Sequence, residues 1–559
     1  MRRFSRAIFH VATIVAITAI VVNAETATAG DEQLRIIVED RDTGEPLVAR
    51  LHLFNANGKP RPIRGDRLAW GNHLTVDGST VLKLPIGEYS FIIYHGAEYR
   101  TTSGTISMGL AGNDTKTVSM QRAMDVADTG WFSGDLDVRR PVRDMPILLE
   151  AEDLRMIAAT TFSNDRLPVP PGKLNPEQRR APDGTISSRG VRFADLGAGR
   201  IVRPGAELLV ARCGKDAPPM PATDSPWPTY ENALEAIHGS GGGSERETRP
   251  WIDLASPTAA DLPLLVAAGW VDSVRLIDSR YTPTRLVDDE KYCRQRDRDR
   301  YPDPLGLARW NLDVYVKLLE AGVFLPPTAG SGSGAAPANS AATGIGSNPP
   351  GENRVYVAVD GPFSADAWWE SLRLGHAVVT NGPLMIPSVH GMPPGFIFET
   401  GGGPQSFPIA LSLSLRGGDQ VNYIEILKNG RVYHEIPLAE YTESRRLPEV
   451  EFDAGEEGWF LIRAVLQGPT DRYRFAMTAP WFVRTGVSGT SESVNLTPSQ
   501  RPPTGRISRS AAQFFFDWTM ERARQLAMHS DPDQRRALLE EYRIARDFWR
   551  ARVEAATCE

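Results

Sequence analysis

The spacing of apolar residues changes period near residue 128, and that change sets the architecture. From residue 31 to about 124, apolar residues alternate with polar ones in short runs broken by turn residues. In Val48-Ala49-Arg50-Leu51-His52-Leu53 the alternation puts Ala49, Leu51 and Leu53 on one face of a strand. Arg50 and His52 fall on the other face, which the pattern predicts to be solvent-facing. Asn57-Gly58 signals a two-residue hairpin, because both residue types tolerate the positive φ of a tight primed turn. From 128 to about 391, strand-like and helix-like runs take turns. Residues 134–138, 271–277 and 353–359 read as strands; 145–154, 259–269 and 310–319 read as helices. That order predicts a βα-barrel. Inside it, 166–250 holds 12 prolines and the run Gly239-Ser240-Gly241-Gly242-Gly243-Ser244, which predicts an irregular insertion.

Beyond the barrel, 405–485 returns to strand alternation, with a hairpin expected around Asn429-Gly430. A Ser/Thr/Pro-rich linker then leads to a helical pair over 509–556. Asp531-Pro532-Asp533-Gln534 is a helix start, with Asp as cap, Pro in the first turn and Gln completing a capping box. Leu538, Tyr542, Ala545 and Trp549 form one apolar stripe, and Phe514, Phe515 and Trp518 supply aromatics on the preceding helix. Both faces are expected to pack on the barrel. The expected fold is thus multidomain α/β plus all-β: a β-sandwich at 31–124, a barrel at 128–391, a second β-sandwich at 405–485 and two terminal helices. At 559 residues the chain is long enough for about three to four such units.

Charge and targeting narrow the function. Sixty-two Lys and Arg against 69 Asp and Glu leave −7, which argues against a nucleic-acid partner. Met1-Arg2-Arg3-Phe4-Ser5-Arg6 is a basic leader, 8–22 is apolar, and Val22-Asn23-Ala24 offers a small-residue cleavage site. Residues 1–24 therefore read as a signal peptide for a secreted or periplasmic protein, an uncleaved signal anchor being the alternative. No second apolar run reaches spanning length. Cys213, Cys293 and Cys558 have no metal-ligand spacing, leaving idle thiols or one disulfide.

Two segments carry family resemblances. Leu84-Pro85-Ile86-Gly87-Glu88-Tyr89 followed by Phe91-Ile92-Ile93-Tyr94 resembles the carboxypeptidase-regulatory-like β-sandwich, a module that scaffolds or adheres. Trp131-Phe132-Ser133-Gly134-Asp135-Leu136, Arg140-Pro141 and Glu152-Asp153-Leu154 resemble the opening of the CehA/McbA family, a branch of the PHP metallohydrolases. Ala268-Gly269-Trp270-Val271-Asp272-Ser273-Val274, Trp310-Asn311-Leu312-Asp313-Val314-Tyr315 and Pro326-Pro327-Thr328-Ala329-Gly330-Ser331-Gly332-Ser333-Gly334 are similar to later parts of it. Ala367-Trp368-Trp369-Glu370-Ser371-Leu372 and Thr380-Asn381-Gly382-Pro383-Leu384 complete the match across roughly 130–385.

The resemblance implies a PHP-like barrel that holds divalent metal ions at the carboxyl ends of its strands and hydrolyses phosphoester or ester bonds. Its first metal-ligand pair is a His-x-His at the end of the opening strand, and here those positions are Asp137 and Arg139. Residues two apart on a strand share a face, so Asp135, Asp137 and Arg139 point the same way. A guanidinium has no lone pair to donate and stays charged. At an effective dielectric of about 20, a unit positive charge about 4 Å from a divalent ion costs roughly 8 kcal/mol before relaxation. The barrel's histidines, His238, His376 and His390, have no His partner at ligand spacing.

The leading expectation is a degenerate metallohydrolase with no cofactor, acting as a binding or scaffolding protein for an unidentified ligand, a surface or a carbohydrate. The alternative is a hydrolase with a rebuilt, carboxylate-dominated divalent-metal site drawn from Asp135, Asp137, Asp272 and Asp278. Gly330, Ser331, Gly332 and Ser333 lack the ending of a phosphate loop and are expected to line the pocket mouth.

Overall fold

The computed structural model describes residues 32–63, 68–109, 114–164, 185–188, 192–213, 230, 234, 250–335, 348–415, 421–467, 471–486, 503–528 and 531–559. The expected signal peptide at 1–24, His238, the run 239–244 and most of the linker before the terminal helices lie outside these residues. Among the described residues no helix is long and apolar enough to cross a membrane.

The first unit is two antiparallel-rich sheets sharing one core. Val48–Asn55 sits centrally in a five-stranded sheet, between His73–Asp77 and Gly87–Tyr94. Glu32–Asp40 is the middle strand of a three-stranded sheet, antiparallel to Ser79–Leu84 and parallel to Asp114–Met120. Ala49, Leu51 and Leu53 point into the shared core with Leu34, Ile36, Phe91 and Ile93, as their alternation requires. The chain turns at Asn57-Gly58, where the Gly58 N–H donates to Asn55 O at 2.8 Å.

The opposite face of that sheet is not open to water, contrary to the reading from alternation. Arg50 is buried and His52 half-buried, because the first helix of the next unit packs on these strands. Arg50 pairs with Glu152 at 2.7 Å and lies over the Tyr94 ring. Alternation finds the two faces of a strand; it cannot tell water from a neighbouring domain.

The central unit begins with β1 (Trp131–Val138), followed by α1 (Met145–Ala151) and β2 (Met156–Ser163). Next come β3 (Arg192–Arg203), β4 (Ala206–Ala211), β5 (Trp251–Leu254), α2 (Leu262–Ala267) and β6 (Ser273–Ile277). The unit continues through α3 (Gly306–Glu320), β7 (Pro327–Ala329), β8 (Arg354–Ala358), α4 (Ala365–Leu374) and β9 (Ala377–Thr380). Strands β1 to β7 are neighbours in chain order, parallel except where β4 runs against β3 and β5. A parallel bridge between Val138 and Ser333 then joins the chain after β7 back to the end of β1, where the Arg139 N–H donates to Ser333 O at 2.6 Å. The span 166–250, read as irregular, contributes three strands among the described residues: the short Thr185–Ser188, antiparallel to β3, and the hairpin of β3 and β4. Their turn is Pro204-Gly205 between two apolar runs.

The region 405–485 continues the sheet of the central unit. Strand β9 pairs with Tyr473–Thr478, so Gly458–Gln467, Val421–Lys428 and Arg431–Pro437 extend the same sheet. Two short two-stranded sheets cover one side of it around a second core that includes Ile424, Phe460 and Trp481. Asn429 and Gly430, at φ 48° and 78°, make the expected tight turn.

The tail forms α5 (Arg509–Leu526) and α6 (Pro532–Glu554), with Asp531 capping the N–H groups of Asp533 and Gln534, each at 2.9 Å. Phe515 stacks on Trp549. The Trp518 and Trp549 indoles donate to Ala260 O and Pro263 O, both at 3.0 Å, which docks the pair on the start of α2 as its stripes predict.

Candidate functional site

The strand ends bring a buried polar centre together from β1, β2, β5, β6 and β7. Asp135 and Asp137 share the inward face of β1, two residues apart. Register sets Asp253 beside Ser273, and Arg275 beside Thr328, on the neighbouring strands.

Arg139 folds back onto Asp137. Its Nε donates to Oδ1 at 2.8 Å and its Nη2 to Oδ2 at 2.6 Å, the parallel geometry that fits a guanidinium to a carboxylate. Arg275 Nη1 adds a bond to Oδ2 at 3.1 Å, and the Thr160 hydroxyl donates to Oδ1 at 3.4 Å. Burial raises the Asp137 carboxyl, but Arg139 and Arg275 outweigh it and hold the group well below the usual carboxylate range.

Asp253 is filled the same way. Arg275 donates to its Oδ2 through Nε at 3.0 Å and Nη2 at 2.8 Å, while Ser273 and Thr328 donate to Oδ1 at 2.7 and 2.6 Å. At the other end Arg139 Nη2 reaches Glu207 at 3.2 Å, and Arg200 holds Glu207 through bonds of 2.5 and 2.9 Å. The result is an alternating chain: Arg200, Glu207, Arg139, Asp137, Arg275, Asp253. Three guanidinium groups balance three carboxylates.

Asp135 differs, because its donors are backbone N–H groups and the Ser331 hydroxyl. The N–H groups of Asp137 and Ser331 donate to Oδ1 at 3.0 and 2.9 Å, and Gly351 N–H donates to Oδ2 at 2.7 Å. Burial pushes its carboxyl up to about 6 against these donors.

The other two carboxylates named from sequence sit apart. Asp272 precedes β6 and Asp278 follows it, and six residues of extended chain span about 20 Å. Asp272 accepts from Ile252 N–H at 2.9 Å, whereas Asp278 is held by Arg280 through Nε at 2.9 Å and Nη2 at 2.5 Å. The set Asp135, Asp137, Asp272 and Asp278 is therefore not assembled around one point. Among the described residues no three His, Cys, Asp or Glu side chains form a group able to hold a metal ion.

A divalent metal does not fit this centre. Each Asp137 and Asp253 carboxylate already receives four hydrogen bonds, which uses its lone-pair directions. A further ion would add two uncompensated charges to a buried, balanced network.

Gly330, Ser331, Gly332 and Ser333 are buried and stitch β7 to β1 instead of lining a mouth. A Cβ on Gly330 would lie 2.8 Å from Asp137 Cβ, so glycine permits the close approach. The Ser333 hydroxyl is buried with no hydrogen-bond partner. Sequence reasoning missed Glu207 and Arg200, which fall in the span read as insertion; the Pro204-Gly205 turn signal marks the hairpin that carries them. The three cysteines are all free thiols.

No protein-family model matches the chain, and no curated protein does. Among solved structures, the group B streptococcus pilus 2b backbone protein is similar over 17% of this chain and 43% of its own length, at 20% identity and a TM-score of 0.15. A streptococcal ancillary pilin is similar over 20% of this chain and 37% of its own, at 18% identity and a TM-score of 0.15. A Parabacteroides merdae β-glucuronidase is similar over 79% of this chain and 62% of its own, at 9% identity and a TM-score of 0.18. The chain thus spans less than half the length of either pilin.

Proposed function

We propose that this is a secreted binding or scaffolding protein whose central unit is a PHP-like barrel of the CehA/McbA branch, with the metal-dependent hydrolase centre replaced by an arginine–carboxylate network. The bidentate Arg139–Asp137 pair carries the reading, because it occupies the two positions where that family has its His-x-His. The return of β7 to β1 through Ser333 and Val138 supports a closed barrel. Arg275 and Arg200 extend the replacement, so the positive charge of a metal is supplied by side chains that cannot leave. The rebuilt carboxylate site is the weaker alternative, since Asp272 and Asp278 lie at opposite ends of β6.

The test is metal stoichiometry of the purified protein by plasma mass spectrometry after dialysis against Zn²⁺ and Mn²⁺ in turn. Less than about one-tenth of an ion per chain is expected. One or more tightly held ions per chain, lost in Asp137→Asn, would overturn the reading and make phosphoester and ester hydrolysis the activities to screen.

A further inference from the structure

A cleft of about 880 Å³ separates the loop after β6 from α3 and α5, away from the polar centre. That is the size of a small-molecule site. Its wall is built and held in place. The Arg294 N–H donates to Thr258 O at 2.7 Å, and the Trp310 indole donates to Arg294 O. Tyr292 has φ 63°, a left-handed conformation costly for an aromatic residue, and its carbonyl accepts from Ala260 N–H at 2.9 Å. Strain of this kind persists only where the surroundings enforce it.

The charge in the cleft is poorly balanced, on a chain whose net charge is −7. Arg294 and Lys317 place their cationic heads 5.0 and 5.1 Å from the centre of the same Phe514 ring. Among the described residues Arg294 ion-pairs with the half-exposed Glu521, with the Asp517 charge also nearby, and its Nη1 is buried with no hydrogen-bond partner. Among the described residues Lys317 makes no ion pair; burial and then Arg300 lower its ammonium, against the nearby charges of Asp313 and Glu320. Burial lowers the Arg294 guanidinium too. Arg300 reaches Asp313 only at 3.5 Å, and that carboxylate already accepts from the Tyr301 hydroxyl at 2.5 Å. Of the acids on the wall, Glu290 is taken by Arg296 and Arg298, at 3.1 and 2.6 Å. Arg294 and Lys317 thus share one ring, Arg300 lies near Lys317, and one buried guanidinium nitrogen is left without a hydrogen-bond partner.

We propose that this cleft binds a small acidic molecule, its carboxylate or phosphate group held by Arg294, Arg300 and Lys317 and its uncharged body against Phe514 and Tyr292. An anion there gains charge-assisted hydrogen bonds, including one from the unpartnered Arg294 Nη1. The proposal does not depend on whether the polar centre is catalytic.

Isothermal titration calorimetry of the full-length mature protein with glucuronate, glucose 6-phosphate and glucose tests it. At least one of the two acidic probes should bind, glucose should not, and added salt should weaken binding. Lys317→Ala and Arg294→Gln should each weaken it about tenfold to a hundredfold, while Lys83→Ala, on the first β-unit, changes nothing. Binding of glucuronate alone assigns a carboxylate ligand, and binding of glucose 6-phosphate alone a phosphate ligand. Failure of both acidic probes, equal binding of glucose, or unchanged affinity in a folded Lys317→Ala protein would each overturn the proposal.

Discussion

Arg139 grips Asp137 with two parallel hydrogen bonds although the residues are only two apart on one chain. Asp137 ends the inward face of β1 and Arg139 lies just past the strand, so the guanidinium can turn back over the carboxylate. Removing one member or the other is not equivalent. Asp137→Asn leaves Arg139 on Glu207 and Arg275 on Asp253, but three guanidinium groups against two carboxylates. Arginine cannot shed that excess charge by losing a proton, so the change should cost about 3–5 kcal/mol. Arg139→Met leaves Asp137 paired with Arg275 and Glu207 paired with Arg200, and should cost less. Urea unfolding midpoints of the two variants check the order; a larger loss in Arg139→Met contradicts the network.

The seam between β7 and β1 is tested at Gly330. A Cβ there sits 2.8 Å from Asp137 Cβ and 3.0 Å from its backbone nitrogen, and backbone cannot swing aside. Gly330→Ala should therefore destabilise by about 1–3 kcal/mol through overpacking. Hydrogen exchange should rise first at the Arg139 amide, which donates across the seam.

Acid should loosen the first β-unit from the central one. Burial, with help from Arg50, lowers the His52 imidazole from 6.5 to about 3, and the neighbouring Glu352 charge opposes this only weakly. His73, beside it, is also held well below its usual value, by burial and by His52, Arg50 and Arg140. The unfolded chain thus binds protons that the folded one refuses, so stability is fully present above about pH 6.5 and falls as pH drops toward 3. Limited proteolysis between the first and central units should accelerate over that window. His52→Gln should flatten the dependence.

Much of this arrangement is legible in the chain because local rules govern it. The inward set Ala49, Leu51 and Leu53, the Asn429-Gly430 turn and the Asp531 cap each depend on nearest neighbours, and each is found as read. The Asp137–Arg139 pairing was also within reach, since a period of two puts both residues on one face. Glu207 and Arg200 were hidden by composition: proline and glycine on either side made a regular hairpin read as irregular chain. Asp253 and Arg275 meet Asp137 only through the order of strands in the sheet, and Gly330 touches it only through the seam. Pairings more than 100 residues apart leave no periodic trace. The same holds for His52, whose burial comes from another unit.

Docking of the helical tail turns on a single carboxylate. Asp261, at the start of α2, accepts from the Tyr542 hydroxyl and Arg522 Nε at Oδ1, both at 2.7 Å, and from the Tyr230 hydroxyl at Oδ2, at 2.8 Å. Two of these donors belong to the tail. Tyr542→Phe removes one donor from an acid that keeps two, and should cost about 1 kcal/mol. Asp261→Ala leaves three donors without an acceptor, two of them buried tyrosines, and should cost about 3 kcal/mol or more. In the Asp261→Ala background the Tyr542→Phe change should cost almost nothing, since its bond is already gone. A double-mutant cycle on thermal unfolding, read alongside proteolysis at the tail, measures that coupling. Additive losses would mean that the aromatic contacts of Phe515, Trp518 and Trp549 hold the tail without this carboxylate.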